Sequence, residues 1–222
     1  MDSPDIFLAV DRYIDGLFAP EDDALAAAMA ASKAAGLPAI QISAGQGKLL
    51  YLLARMIGAR RILELGTLGG YSAIWLARAL PDDGRMVTLE FSPRHAEVAK
   101  ANIARAGLSA KVEVVTGAAL DTLPGVMEAA DAPFDLVFLD ADKVNYPHYF
   151  AHIMGGVRSG SLVLGDNVIR GGAVLHAEAG DASAKATAAF NRMVAKDDRL
   201  EAVILQQVGV KGHDGLAIAR VK

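Results

Sequence analysis

The feature that most limits what this chain can fold into is an alternation that begins at Arg61. RILEL, RMVTLE, KVEVV, FDLVFLD and SLVLGD are short apolar runs of strand length, and helical stretches separate them. YSAIWLARAL follows the first run. SPRHAEVAKANIARAG follows the second, with Ser92 as N-cap and Pro93 at the first helical position. Strand–helix alternation of this kind predicts a mostly parallel, doubly wound sheet with helices on both faces. The end of the chain differs. EAVILQQ and GLAIARV are separated only by a short connection containing Gly209, Lys211, Gly212, His213 and Asp214. That is hairpin spacing, so one final strand runs antiparallel. The expected fold is therefore α/β, with a mostly parallel seven-stranded sheet and an antiparallel C-terminal strand.

The residues ahead of Arg61 read as helices. Ile6, Val10, Ile14 and Leu17 recur at helical spacing. Pro20 with Glu21, Asp22 and Asp23 marks the start of a second helix, because acids favour the first turn, and Gly36 and Pro38 end it. A third helix is expected from about Gly47 to Ile57, stopping near Gly58. With no linker in view, the chain reads as one domain over 1–222. Residues 1–58 form the N-terminal helices, and 59–222 form the alternating core. The small-residue stretch from Gly171 to Ala184 reads as a loop. Composition excludes several classes. A hydrophobic share of 53% supports a substantial core. A net charge of −4 leaves no basic face for a phosphate backbone, so nucleic acid is not an expected partner. The absence of cysteine removes disulfides, thiolate metal sites and a cysteine nucleophile, and fits a cytoplasmic location. The N-terminal MDSPDIFLAVDRYIDGLF carries acids where a signal peptide carries bases, and no apolar run approaches the roughly 20 residues of a membrane span.

In open α/β sheets, ligands bind beyond the carboxyl ends of the strands. Leu63-Glu64-Leu65-Gly66-Thr67-Leu68-Gly69-Gly70-Tyr71-Ser72 sits at the end of the first such strand, and its glycines allow a tight turn against a ligand. Glu90 ends the second strand, where an acid can accept hydrogen bonds from both ribose hydroxyls. A dinucleotide and S-adenosylmethionine both meet that description. The loop is not G-x-G-x-x-G, and Glu64 just before the first glycine would repel a pyrophosphate but suits a cationic ammonium and sulfonium. S-adenosylmethionine is the better match. The plainer alternative is that Glu64 caps a neighbouring backbone group and the glycines only make a turn.

Asp140 ends FDLVFLD, and Asp166 and Asn167 end SLVLGD, so all three project at the same sheet edge as the cofactor loop. They are hard oxygen ligands, which favour Mg²⁺ first, then Mn²⁺ or Ca²⁺, over zinc or copper. Asx-turn formation by Asp166 and Asn167, and helix capping by Asp140, is the competing use. Lys143, three residues after Asp140, becomes a usable base if a cation lies beside it, or is an ordinary solvated lysine if none does.

LELGTLGGYS, the strand-ending Glu90, LDADK and the GDN at Gly165–Asn167 resemble the cation-dependent small-molecule O-methyltransferases, the group of catechol and caffeoyl-coenzyme A O-methyltransferases. The resemblance covers the chain from about Gln41 to the C-terminus. It implies a Rossmann-like methyltransferase fold. It implies that Asp140, Asp166 and Asn167 hold the metal and that Lys143 is the general base. It implies that Ile42, Glu64, Gly66, Ser72, Glu90, Ala119 and Asp140 line the cofactor. The implied reaction transfers methyl to a hydroxyl of a small ortho-dihydroxy aromatic (a catechol, flavonoid or hydroxycinnamoyl compound), and the implied assembly is a homodimer. Its rivals are a metal-independent methyltransferase on the same fold, a non-enzymatic S-adenosylmethionine-binding module and a dinucleotide oxidoreductase. His148 and His152 have metal-ligand spacing but no third soft ligand. Trp75 is expected in the core, and Tyr146 either borders the site or packs a turn. Arg170 replaces the aromatic residue usual in the plant relatives, and either meets an anionic substrate or lies in solvent.

Overall fold

The computed structural model describes residues 3–222, with side chains from residue 6 onward. Met1 and Asp2, where the acid-bearing N-terminal run begins, lie outside the described residues. Three helices come first: α1 (Ser3–Phe18), α2 (Asp23–Ala34) and α3 (Ala44–Met56). The caps explain two of their starts. Asp22 accepts a hydrogen bond from Leu25 N at 3.0 Å, and Ser43 accepts one from Gln46 N at 3.1 Å. The third helix therefore begins three residues before the expected Gly47. Gly47 is an interior residue of α3 because a Cβ there would overlap the Trp75 ring. A close approach, not a helix end, accounts for that glycine.

The alternating part runs β1 (Arg61–Leu65), α4 (Tyr71–Ala79), β2 (Arg85–Glu90), α5 (Pro93–Arg105), β3 (Val112–Thr116), α6 (Ala119–Ala129), β4 (Phe134–Leu139), α7 (Tyr146–Ile153), β5 (Val157–Gly165), α8 (Ala182–Lys196), β6 (Leu200–Gln207) and β7 (Asp214–Val221). Ser92 caps α5 with Pro93 in its first turn, as the sequence predicts. The 171–184 stretch is not a plain loop. A kinked 3₁₀ segment covers Arg170–Ala179, and α8 begins at Ala182 under an Asp181 cap.

The seven strands form one sheet in the order β3-β2-β1-β4-β5-β7-β6. Only β7 runs against the rest. The chain builds outward from β1 to β3, then returns to place β4 on the other side of β1. That reversal is the switch point where the strand ends splay into a crevice. One face of the sheet carries Ile62, Phe138 and Leu164 against α3, α4 and α5. The other carries Leu63, Val137 and Val163 against α6, α7 and α8. All six residues of β4 are buried, as a central parallel strand covered on both faces requires. Truncating Phe138 there to Ala costs about 3–5 kcal/mol. Among the described residues, no helix is long and apolar enough to cross a membrane. The apolar stripe of α1 has the expected period but faces outward, with Ile6 44%, Val10 47% and Leu17 57% exposed.

Candidate active site

Parallel register sets the site. Leu65 pairs with Leu139 and Leu139 with Gly165, so β1, β4 and β5 end side by side. The next residues, Gly66, Asp140 and Asp166, continue the ladder through Asp140 N to Leu65 O (2.8 Å) and Asp166 N to Leu139 O (2.9 Å). Gly66 adopts φ +96°, and a Cβ there would overlap the Asp140 carbonyl. Only glycine lets the two strand ends meet. A cavity of about 980 Å³ opens over this edge. Ile42, Gly66, Ser72, Glu90, Ala119, Asp140, Lys143 and Asn167 lie on its wall. Among the described residues, Leu68, Asn167 and Arg170 are the non-glycine residues with φ in the left-handed region, and all three line this cavity. Backbone strain gathered in one place is the mark of a site that uses it.

At one end of the cavity, Glu90 holds the glycine turn. Its Oε2 accepts from Thr67 N (3.2 Å) and Leu68 N (2.7 Å), and its Oε1 accepts from Ser92 N (2.9 Å). That fills both lone-pair sites of Oε2 and leaves one on Oε1 for a further donor. The first turn of α4 begins at Gly70 without a side-chain cap, so its N–H groups are available beside the same turn.

Glu64 is not on the cavity wall. It is fully buried on the α4 side of β1, and the Thr88 hydroxyl donates to its Oε2 at 2.6 Å. Its Oε1 has no partner among the described residues. Burial pushes its pKa up to about 8, with the Ser72 and Thr88 hydroxyls pulling the other way and Asp140 and Glu90 adding to the rise. This buried carboxyl, with one oxygen unpartnered, lies behind the glycine turn.

At the other end, Lys143 is buried and its Nζ donates to Asp140 Oδ1 (2.9 Å) and to the Tyr146 hydroxyl (2.7 Å). Tyr146 is fully buried, and its hydroxyl reaches the carbonyls of Leu139 (2.7 Å) and Asp166 (3.0 Å). It borders the site by fixing the lysine amine over the strand ends. Burial raises its pKa far above the ordinary value; Asp140, Asp166 and Asp214 raise it further, and the Arg170 charge opposes them. Asp166 lies just behind the wall, 4% exposed, and its Oδ1 has no hydrogen-bond partner among the described residues. Burial raises its pKa to about 7, with Asp140 adding to the rise and Lys143 opposing it. Burial likewise raises Asp140, against the Lys143 and Lys211 charges. Asp140 does not cap a helix here, since the 3₁₀ turn Lys143–Asn145 starts from Asp142 and has no side-chain cap. Among the described residues, no group of three or more His, Cys, Asp or Glu side chains is set to hold a metal ion. The oxygen set at this edge is two aspartates and an asparagine.

His148 and His152 are exposed on α7, and Trp75 is buried in the core. Sequence reasoning missed Gln46, whose buried amide lies beside Asp166 with an unpartnered Nε2, and Lys211, which reaches the cavity from the β6–β7 hairpin. Neither lies near a motif. Gln46 is marked only as a polar residue on a helix face that is otherwise apolar.

The switch-point crevice, the glycine turn, the acid ending β2 and the oxygen-rich ends of β4 and β5 define a Rossmann-like methyltransferase. The sequence profile of the O-methyltransferase family matches residues 19–222. The chain is 50% identical over 217 residues to a catechol O-methyltransferase of Niastella koreensis, covering 98% of each chain. It is 53% identical over 213 residues to a catechol O-methyltransferase of Mycobacterium tuberculosis, covering 96% of this chain and 95% of that one. The crystal structure of the O-methyltransferase TomG from Streptomyces achromogenes in complex with SAM matches with a TM-score of 0.96, 45% identity and complete coverage of both chains. The chain belongs to the O-methyltransferase family, and it is an S-adenosylmethionine-dependent enzyme of that family.

Proposed function

We propose that this enzyme methylates one hydroxyl of a small ortho-dihydroxy aromatic, with a divalent cation, Mg²⁺ in the first place, at the β4–β5 edge. The observation that carries this is the Asp166 carboxylate: buried, beside Asp140 and Asn167, with one oxygen unpartnered. A buried charged oxygen without a partner is costly, and a hard cation relieves it. Asp140, Asp166 and Asn167 would hold the ion, which when bound supplies Lewis acidity toward two vicinal oxygens. The relatives named catechol O-methyltransferase support the same acceptor.

The remaining roles follow from the chain's own groups. Glu90 accepts from the ribose hydroxyls. Gly66, Ile42, Ser72 and Ala119 shape the wall around the nucleoside and amino-acid ends. The uncapped first turn of α4 offers N–H groups to the amino-acid carboxylate. Glu64 acts from beneath through its charge. S-adenosylmethionine supplies an electrophilic methyl carbon on a sulfonium. Lys143 takes the acceptor's hydroxyl proton at Nζ, and Tyr146 holds that amine in place. Ile42, packed on the wall, keeps water from the transfer line. The work of the cavity is to hold acceptor oxygen and methyl carbon at about 3–3.5 Å.

Within the same reading, residues 1–222 act as one domain, with 59–222 carrying the cofactor and metal chemistry. The N-terminal helices 1–58 meet a second copy through the outward stripe of α1 to form a homodimer, and the protein works in the cytoplasm. A monomer mass by light scattering at micromolar concentration contradicts the dimer. Methyl transfer from labelled cofactor to catechol should stop in EDTA and return with Mg²⁺ or Mn²⁺. Undiminished turnover in chelator overturns the metal assignment and leaves a metal-independent methyltransferase.

A further inference from the structure

Two cations at the cavity mouth form no ion pair among the described residues. Arg170 lies on the segment after β5, and its guanidinium makes no hydrogen bond or ion pair among the described residues. Lys211 lies on the β6–β7 hairpin, and the partner of its Nζ is the Ala39 carbonyl at 3.4 Å. Elsewhere Arg60, Arg61, Arg78 and Arg158 each face an aspartate. Both unpaired cations line the cavity. Both are near its reacting end, since the Arg170 charge acts on Tyr146 and the Lys211 charge on Asp140.

The two segments are also fastened to each other. Asp214 Oδ1 accepts from Ile169 N (3.0 Å), Arg170 N (2.9 Å) and Gly215 N (2.9 Å). Gly171 N donates to the His213 carbonyl at 3.1 Å. These bonds use the Asp214 charge on backbone donors and hold Arg170 at φ +58°, a conformation that glycine adopts without strain and arginine does not. Glycines occupy the next two positions, yet an arginine stands at the one that meets the cavity. Of the acids on the wall, Asp140 is paired with Lys143, Asp142 is engaged by Tyr149 and Asn145, and Glu90 lies at the nucleoside end beside His95.

We propose that Arg170 and Lys211 read an anionic substituent on the acceptor, so that the preferred substrate is an ortho-dihydroxy aromatic bearing a carboxylate close to its ring. This rests on the catechol reading above. Both side chains are exposed at the mouth, so either charge alone is screened as a surface charge is, and the discrimination comes from two cations meeting one carboxylate. A small acid fits better than a long anionic ester, because both charges, though at the mouth, act on Tyr146 and Asp140 at the reacting end.

The test compares 3,4-dihydroxybenzoate with its neutral amide of similar shape, using labelled cofactor and Mg²⁺. The acid should be preferred in kcat/KM by about tenfold, the effect of one well-placed charge-assisted hydrogen bond. In Arg170→Gln/Lys211→Gln the acid-to-amide ratio should fall close to one, and Arg170→Glu should invert it. A parallel calorimetric titration uses 3,4-dimethoxybenzoate and its amide on protein loaded with S-adenosylhomocysteine. Those ligands have no hydroxyl to methylate, so this arm does not depend on turnover. If no dihydroxy compound is methylated, the catechol reading fails, and the titration alone decides the anion reading. An acid preference below about fivefold in the deciding assay, or one that survives the double substitution, overturns the proposal.

Discussion

Replacing Glu64 with Gln should change how stability depends on pH, by an amount that follows from its surroundings. In the folded chain its pKa is about 8, against an ordinary 4.5, because it is fully buried with one oxygen unpartnered. A carboxyl group with a raised folded pKa takes up a proton on folding. Its favourable contribution is complete below 4.5, declines as pH rises toward 8, and is fully lost above that. The decline runs at about 1.4 kcal/mol per pH unit, close to 5 kcal/mol in all. Gln copies the protonated form in size and can still accept from Thr88. The assay is urea unfolding of both proteins, without cofactor, from pH 5 to 9. The difference between the two isolates Glu64 from Asp140 and Asp166, which also have raised pKa values. The variant should gain on the wild type by several kcal/mol between pH 5 and 8, then hold level. A difference that stays constant within about 0.5 kcal/mol refutes the buried, proton-bearing carboxyl. A cation bound above Glu64 favours its ionised form, so S-adenosylmethionine binding near pH 7 should release a proton. Calorimetry in buffers of different ionisation enthalpy reads that release.

Glu90→Ala should weaken S-adenosylmethionine binding by about 1.5–3 kcal/mol in calorimetry, through loss of the charge-assisted ribose contact. Unchanged affinity means that the ribose is read elsewhere. Lys143→Ala should lower kcat by about 10²–10⁴-fold with little change in KM, and Lys143→Arg should not restore it, since a guanidinium cannot accept the proton. A kcat within about twofold of wild type removes Lys143 as the base. Gly66→Ala should destabilise the fold by several kcal/mol in urea unfolding, because the new methyl meets the Asp140 carbonyl from a left-handed backbone. A midpoint equal to wild type contradicts that steric reading.

The elements that were legible in the sequence are those whose reason is local. Ser92-Pro93 announces the start of α5, and the LELGTLGG turn announces the end of β1, because capping and left-handed turns are matters of adjacent residues. Parallel winding then puts Asp140 and Asp166 on one edge with Gly66, and alternation of strands and helices is enough to expect that. What was not legible depends on residues far apart. Gly47 looked like a helix start, but Trp75, on another helix, is what requires it. The 171–184 stretch is rich in small residues, yet Asp181 nucleates α8 within it. Periodicity on α1 gave an apolar face without saying that the face turns outward. The place of Glu64 beside the glycine turn is legible, but its inward direction with Ile62 and its contact with Thr88 come from strand parity and the neighbouring strand. Lys211 reaches the cavity only because the hairpin folds back beside β5, which no spacing near LDADK reveals.

The pairing of Asp140, Asp166 and Asn167 with a vicinal diol is tested most directly by regiochemistry in the acceptor. Methyl transfer from labelled S-adenosylmethionine, with Mg²⁺, should be measured for 1,2-dihydroxybenzene and 1,3-dihydroxybenzene under identical conditions. The 1,2 isomer should give the monomethyl ether, and the 1,3 isomer, whose hydroxyls cannot both reach one ion, should give essentially none. Equal turnover of the two isomers, or turnover of neither, would contradict it.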